Sequence, residues 1–188
     1  MDFIDENSLD AIPWAERTVQ QRQHIIAQAA KGLAWMRTMR SSIPGPVGGG
    51  IPTGGLFTLY GAGRTFQTAT DMEPWFNHKL NIRGTGDVTG MFDELSMCHM
   101  DLSLRNLVLD KAGELWFLDW AFAGFFPPSF EYASLLHKQP DSPDYEFVQG
   151  VLKELRPVPY DETLVALLLR VFQVNDGPFQ GSHIIAGL

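Results

Sequence analysis

Thiols are almost absent from this chain of 188 residues. Its one cysteine, Cys98, excludes an internal disulfide and a thiolate-held metal cluster, and fits a reducing, cytoplasmic setting. Basic residues are also scarce: 14 Lys and Arg stand against 22 Asp and Glu, for a formal net charge of −8. A surface of that sign repels nucleic acid and anionic membranes and favours neutral or cationic partners. Long apolar runs are missing too. No uninterrupted apolar stretch approaches the roughly 18 residues that mark a membrane-spanning helix. Residues 1–5 are acidic and lack the basic and apolar regions of a secretory signal, so none is expected. No G-x-S-x-G, H-E-x-x-H or zinc-ligand spacing occurs, which removes the common serine- and zinc-hydrolase readings.

What is present suits a packed core. Hydrophobic residues make up 45% of the chain and include 13 Phe and 5 Trp. That composition excludes a disordered tail and suits one aromatic-rich domain over 1–188; the helical and β-type segments below make the expected class α+β, mainly α. Residues 18–40 read as a long helix with Ile26, Ala29, Leu33 and Met36 on one stripe, and Trp35, Met36 and Met39 read as core. Residues 71–80 read as a short helix begun at Thr70 or Asp71, with Met72, Phe76 and Leu80 on one face. Residues 92–98 read as a short helical end, and 145–156 and 162–174 as helices capped by Asp144 and Asp161. The stretch 41–55, SSIPGPVGGGIPTGG, looks superficially like a phosphate cradle. It lacks the strand before, the helix directly after and the terminal Lys that such a loop needs, and reads as a structural or substrate-side loop.

Chemistry concentrates in residues 98–126, CHMDLSLRNLVLDKAGELWFLDWAFAGFF. His99, Asp101 and Asn106 form an H-x-D-x-x-x-x-N pattern, and Asp119 follows directly after an apolar run. Residues 106–109 and 115–118 are β-type runs around the turn Asp110-Lys111-Ala112-Gly113, a hairpin signal. Antiparallel strands joined by a tight turn bring their open ends together. Asn106 and Asp119 should therefore lie side by side with oxygens for one Mg²⁺, a hard ion that takes one or two carboxylates plus substrate phosphates. Asp101 can face that pair across the space for a phosphate. Phosphoryl transfer asks for positioning and charge neutralisation, with Asp101 as the base for an acceptor hydroxyl. His99 reads as loop support, Cys98 as a core thiol, and Trp120, Phe122, Phe125 and Phe126 as core. Arg105 reads as the salt-bridge partner of a nearby carboxylate, the alternative being a phosphate contact.

The pattern at 99–106 resembles the catalytic loop of protein-kinase-like enzymes, with Asp101 matching the base, Asn106 a metal ligand and Asp119 the metal-binding Asp. The run DWAFAGFFPP at 119–128, followed by Glu131-Tyr132-Ala133, resembles the fungal branch of the aminoglycoside phosphotransferase and choline-kinase-like superfamily. Residues 47–50 and 66–75 also resemble its loop region. Residues 1–5 with Leu9 resemble the hinge between its two lobes. The resemblance reaches to about Leu136. It implies the C-terminal lobe of the protein-kinase-like fold, with 1–9 as a hinge-like segment and a small β-hairpin at the catalytic loop. It implies ATP and Mg²⁺ as cofactors and a small-molecule hydroxyl acceptor, cationic by complementarity to the acidic surface. Asp2 and Ile4 would offer backbone groups to adenine and Leu118 an apolar face; ordinary packing explains all three equally well.

Some parts of the pattern have no counterpart. No Gly-rich strand-loop-strand, phosphate-pairing Lys or partner Glu precedes the hinge, and Ser103 stands where protein kinases carry a phosphate-directed Lys. The expectation is a lobe without its ATP-gripping neighbour, exposing apolar residues near Phe3, Ile4 and Leu118. A non-catalytic pseudokinase or binding module, or one piece of a larger protein, are the competing readings.

Overall fold

Capping and apolar spacing set where the helices begin. In the computed structural model, which describes residues 7–82, 84, 86–155 and 160–176, the first helix, α1, spans Val19–Met36. Thr18 accepts the Gln21 N–H at 3.2 Å while the Gln21 side chain accepts the Thr18 N–H at 2.9 Å, a closed capping box. Ile25, Ala29, Leu33 and Met36 are buried along this helix, with Ile26 half-buried beside them. Trp35, expected in the core, is 66% exposed because it falls off that face.

The second helix, α2, spans Ala69–Asn81 and starts earlier than expected, because Thr68 rather than Thr70 or Asp71 caps it. Its face of Met72, Phe76 and Leu80 is fully buried. Three further helices follow: α3 (Ser129–Leu136), which residue periodicity did not reveal, α4 (Tyr145–Leu155) and α5 (Glu162–Asn175). Arg156, expected to end α4, lies outside the described residues. Asp161 caps α5 as expected, accepting the Leu164 N–H at 3.0 Å. Asp144 directly precedes α4, as expected, and its carbonyl accepts the Val148 N–H at 2.9 Å, while its carboxylate accepts the Leu104 N–H at 2.8 Å.

Among the described residues there are five short strands: β1 (Gly45–Pro46), β2 (Ser96–Cys98), β3 (Leu107–Leu109), β4 (Leu115–Phe117) and β5 (Gly124–Phe126). Residues 96–98, expected in a helical end, form β2 because they pair with a strand far along the chain. The sheet runs β1-β5-β2, all antiparallel, with Cys98 opposite Gly124 and Ser96 opposite Phe126. Gly124 is required there: a side chain would collide with the carbonyl of Gly45 on the neighbouring strand. The expected hairpin is present as β3-β4, with Leu107 opposite Phe117 and Leu109 opposite Leu115. Gln28 of α1 docks it, donating to Gly113 O at 2.7 Å and accepting from Leu115 N at 3.0 Å. Gly32 leaves room for the Phe117 ring, which a Cβ there would meet at 2.6 Å.

The core is aromatic. Phe57 lies at its centre, with ring centroids 5.4 Å from Phe76, 5.3 Å from Phe126 and 5.5 Å from Trp75. Phe130 of α3 stacks on Phe126 at 5.6 Å, tying the helix to the sheet. The architecture is mainly helical with two small antiparallel sheets, compatible with a kinase-like fold. No described helix is long and apolar enough to cross a membrane. Because Phe57 is fully buried among these rings, Phe57→Ala should lower unfolding free energy by about 3–5 kcal/mol. Urea unfolding followed by tryptophan fluorescence measures that loss; a cost below about 1 kcal/mol would contradict this packing.

Candidate active site

The loop 99–106 is shaped by hydrogen bonds to its own backbone. Oε2 of Glu131, on α3, accepts the N–H of His99 at 2.6 Å and of Met100 at 3.0 Å. Met100 sits at φ 68°, a left-handed conformation that is costly for a residue with a side chain. Its carbonyl accepts the Ser134 hydroxyl at 2.8 Å, so α3 pins the strained residue on both sides. Further along, Asp144 takes the Leu104 N–H. His99 is fully buried and joins the loop to the hairpin. Its Nδ1 accepts the Asp101 N–H at 3.4 Å, which leaves the proton on Nε2 to donate to Leu118 O at 2.9 Å. The loop-supporting role expected for His99 matches these contacts.

Asp101 and Asn106 come together directly. Asn106 Nδ2 donates to the Asp101 carbonyl at 2.8 Å and to its carboxylate Oδ2 at 3.0 Å. The Asn106 carbonyl accepts the Leu118 N–H at 2.8 Å, so the open ends of β3 and β4 meet where the hairpin argument placed them. Asp119 is the next residue. It is exposed, holds φ 54°, and accepts the Ala121 N–H at 3.4 Å. Among the described residues no hydrogen bond or ion pair links its carboxylate to Asp101 or Asn106. Leu118 is half-buried, and its backbone serves the loop. Asp2 and Ile4 lie outside the described residues.

No group of three or more His, Cys, Asp or Glu side chains suited to a metal occurs among the described residues. Magnesium does not need one, since it keeps several waters and takes phosphate oxygens with one or two protein carboxylates. Asn106 has committed its amide nitrogen to Asp101, which reserves Oδ1 for another partner, and the Asp119 carboxylate accepts one long hydrogen bond. An amide oxygen and a carboxylate at adjoining strand ends fit such an ion.

Charge is balanced locally. Arg105 Nη2 contacts Asp101 Oδ2 at 2.6 Å, the salt bridge expected of it. Lys138 Nζ approaches Asp101 Oδ1 at 3.9 Å. Burial raises the Glu131 carboxyl above its ordinary range, against the opposing effect of the two backbone N–H groups it accepts. Burial likewise raises the Cys98 thiol, which fits an inert core position. The aromatic run divides: Phe126 is buried, Phe122 and Phe125 are half-buried, and Trp120, expected in the core, is 44% exposed. Its ring edge meets His99 at 4.8 Å.

The loop contacts of three supporting residues escape sequence reasoning: the pattern does not single out Lys138, marks Asp144 only as a helix cap, and includes Glu131 only as part of the run that follows Pro128. A folded pKa raised above the unfolded one means that the native state binds a proton more tightly. Stability then falls as pH rises from about 4.5, the ordinary Glu value, through the folded pKa, and levels off above it. Glu131→Gln keeps an acceptor oxygen and removes this titration, so its stability should lack that fall. Urea midpoints of both proteins between pH 4 and 8 test this, and parallel pH profiles would refute it.

No curated protein matches the chain significantly. The sequence model of the phosphotransferase enzyme family (APH) matches residues 92–162, the stretch that carries Asp101, Asn106, Asp119 and Glu131, and this supports the aminoglycoside phosphotransferase and kinase-like superfamily for that part of the chain.

Proposed function

We propose that this chain is the C-terminal lobe of a fungal-type, aminoglycoside-phosphotransferase-like kinase that transfers the γ-phosphoryl group of Mg–ATP to a hydroxyl of a small molecule. The observation that carries this reading is the Asn106–Asp101 hydrogen bond at 3.0 Å on a loop closed against the residue before Asp119, inside the stretch matched by the phosphotransferase family. Asp101 is the base: its carboxylate is held by Asn106 and Arg105, and its side chain is 15% exposed. Asn106 and Asp119 are the protein ligands of Mg²⁺, which neutralises charge on the phosphate oxygens when bound.

Leu118, with the hinge-like residues Asp2 and Ile4, contributes the nucleotide side. The net charge of −8 favours a cationic acceptor, such as an amino-alcohol. Little covalent work is asked of the protein in such a transfer; orientation of the hydroxyl and electrostatic support dominate.

Calorimetry with Mg–ATP on the chain should register binding at millimolar nucleotide that is weakened when EDTA removes the metal. Heat of dilution alone would reject the reading and favour a non-catalytic binding module. Asp101→Asn should lower phosphotransfer, including slow transfer to water, by about 10²–10⁴-fold while nucleotide still binds. Undiminished turnover by that variant would remove Asp101 from the base position.

A further inference from the structure

Lys138 follows the last turn of α3, one residue beyond its C-cap, His137. Its side chain is 20% exposed, and Nζ lies 3.9 Å from Asp101 Oδ1 and 4.0 Å from Asp144 Oδ2. Neither separation is a hydrogen bond, since N–H···O bonds fall within about 2.7–3.2 Å. Among the described residues, no oxygen accepts a hydrogen bond from this ammonium. Three donors held largely out of water call for an acceptor.

The facing oxygen is equally specific. Asp101 Oδ2 is occupied by Arg105 at 2.6 Å and Asn106 at 3.0 Å, while Oδ1 receives no hydrogen bond. Asp144 is divided in the same way: Oδ1 holds the Leu104 N–H, and Oδ2 faces Lys138. A lysine serving only to neutralise these carboxylates would close on one of them. A gap of 3.9 Å suits one intervening oxygen, which at about 2.8 Å from each atom would see them at an angle of about 90°.

We propose that this oxygen is the acceptor hydroxyl, and that Lys138 is a catalytic residue holding it jointly with Asp101. The inference rests on the phosphotransferase reading above. The hydroxyl proton passes to Asp101 Oδ1, and the oxygen's electron pair forms the new bond to the γ-phosphorus. The bond from that phosphorus to the bridging oxygen breaks, and ADP leaves with its electron pair. Lys138 keeps all three protons and stabilises the negative charge gathering on the acceptor and equatorial phosphoryl oxygens. The only cation in the loop 99–106, Arg105, sits on the other carboxylate oxygen. The positive charge on the reacting side therefore comes from the end of α3.

The test uses the full chain with Lys138→Met and Lys138→Arg. Its probes are Mg–ATP hydrolysis, in which water is the acceptor, and calorimetry with Mg–ADP, with and without aluminium fluoride as a mimic of the transferring group. Lys138→Met should lower kcat about 100-fold with KM changed less than about threefold, and Lys138→Arg should recover most of the rate. Lys138→Met should also weaken the aluminium fluoride complex by about tenfold or more while Mg–ADP affinity stays within about twofold. Wild-type kcat and aluminium fluoride binding in Lys138→Met would overturn the proposal and leave the phosphotransferase reading standing. Equal loss of Mg–ADP affinity would also overturn it, by showing a general structural role. Failure of the wild-type chain to bind any of these nucleotides would bring down both.

Discussion

Glu131 accepts the backbone N–H groups of His99 and Met100 through a single oxygen, and the loop that carries Asp101 takes its path from that contact. Met100 is held at φ 68° and could not stay there on local preference. A carboxylate buried on α3 is expensive, and its raised pKa reflects that cost. Two backbone donors aimed at one oxygen offset it and leave the loop with little freedom to relax. The same helix reaches the loop again through Ser134, and the chain just after it supplies Lys138 and Asp144.

Rigidity then passes from the core to the loop. Phe130 anchors α3 in the aromatic cluster one residue before Glu131, so the packing of Phe57, Phe76 and Phe126 sets the position of the carboxylate. On the other side, Gln28 and the space left by Gly32 fasten the hairpin to α1. His99 closes the circuit by donating to Leu118 O, the residue that precedes Asp119. A side chain expected only to support the loop therefore links the segment that carries Asp101 to the strand end that carries the second carboxylate.

The arrangement of charge around Asp101 is asymmetric. One carboxylate oxygen is satisfied by Arg105 and Asn106, and the other faces an ammonium across a gap. Orientation of the carboxylate is thus fixed by its own loop, and its open oxygen faces a residue from another element.

Local pattern was sufficient for much of this protein. The Thr18 cap region, the face of Met72, Phe76 and Leu80, the β3-β4 hairpin and the Asp161 cap all arise from contacts within a few residues, and such contacts are written in spacing. Asp101 and Asn106 are expected at one strand end, facing each other across the space for a phosphate; their direct hydrogen bond at 3.0 Å is a product of the folded loop. The strand at Ser96–Cys98, the exposure of Trp35 and Trp120, the use of Asp144 on Leu104, and the positions of Glu131 and Lys138 did not follow. Each depends on a partner 26–40 residues away, or on which face of an element the rest of the chain covers. Short-range preference is blind to such pairings, because only closure of the whole core brings the partners together. The sequence by itself determined most of the helices, the β3-β4 hairpin and which polar residues the loop carries. Tertiary packing alone decided which distant carboxylate shapes that loop and which distant ammonium faces its open oxygen.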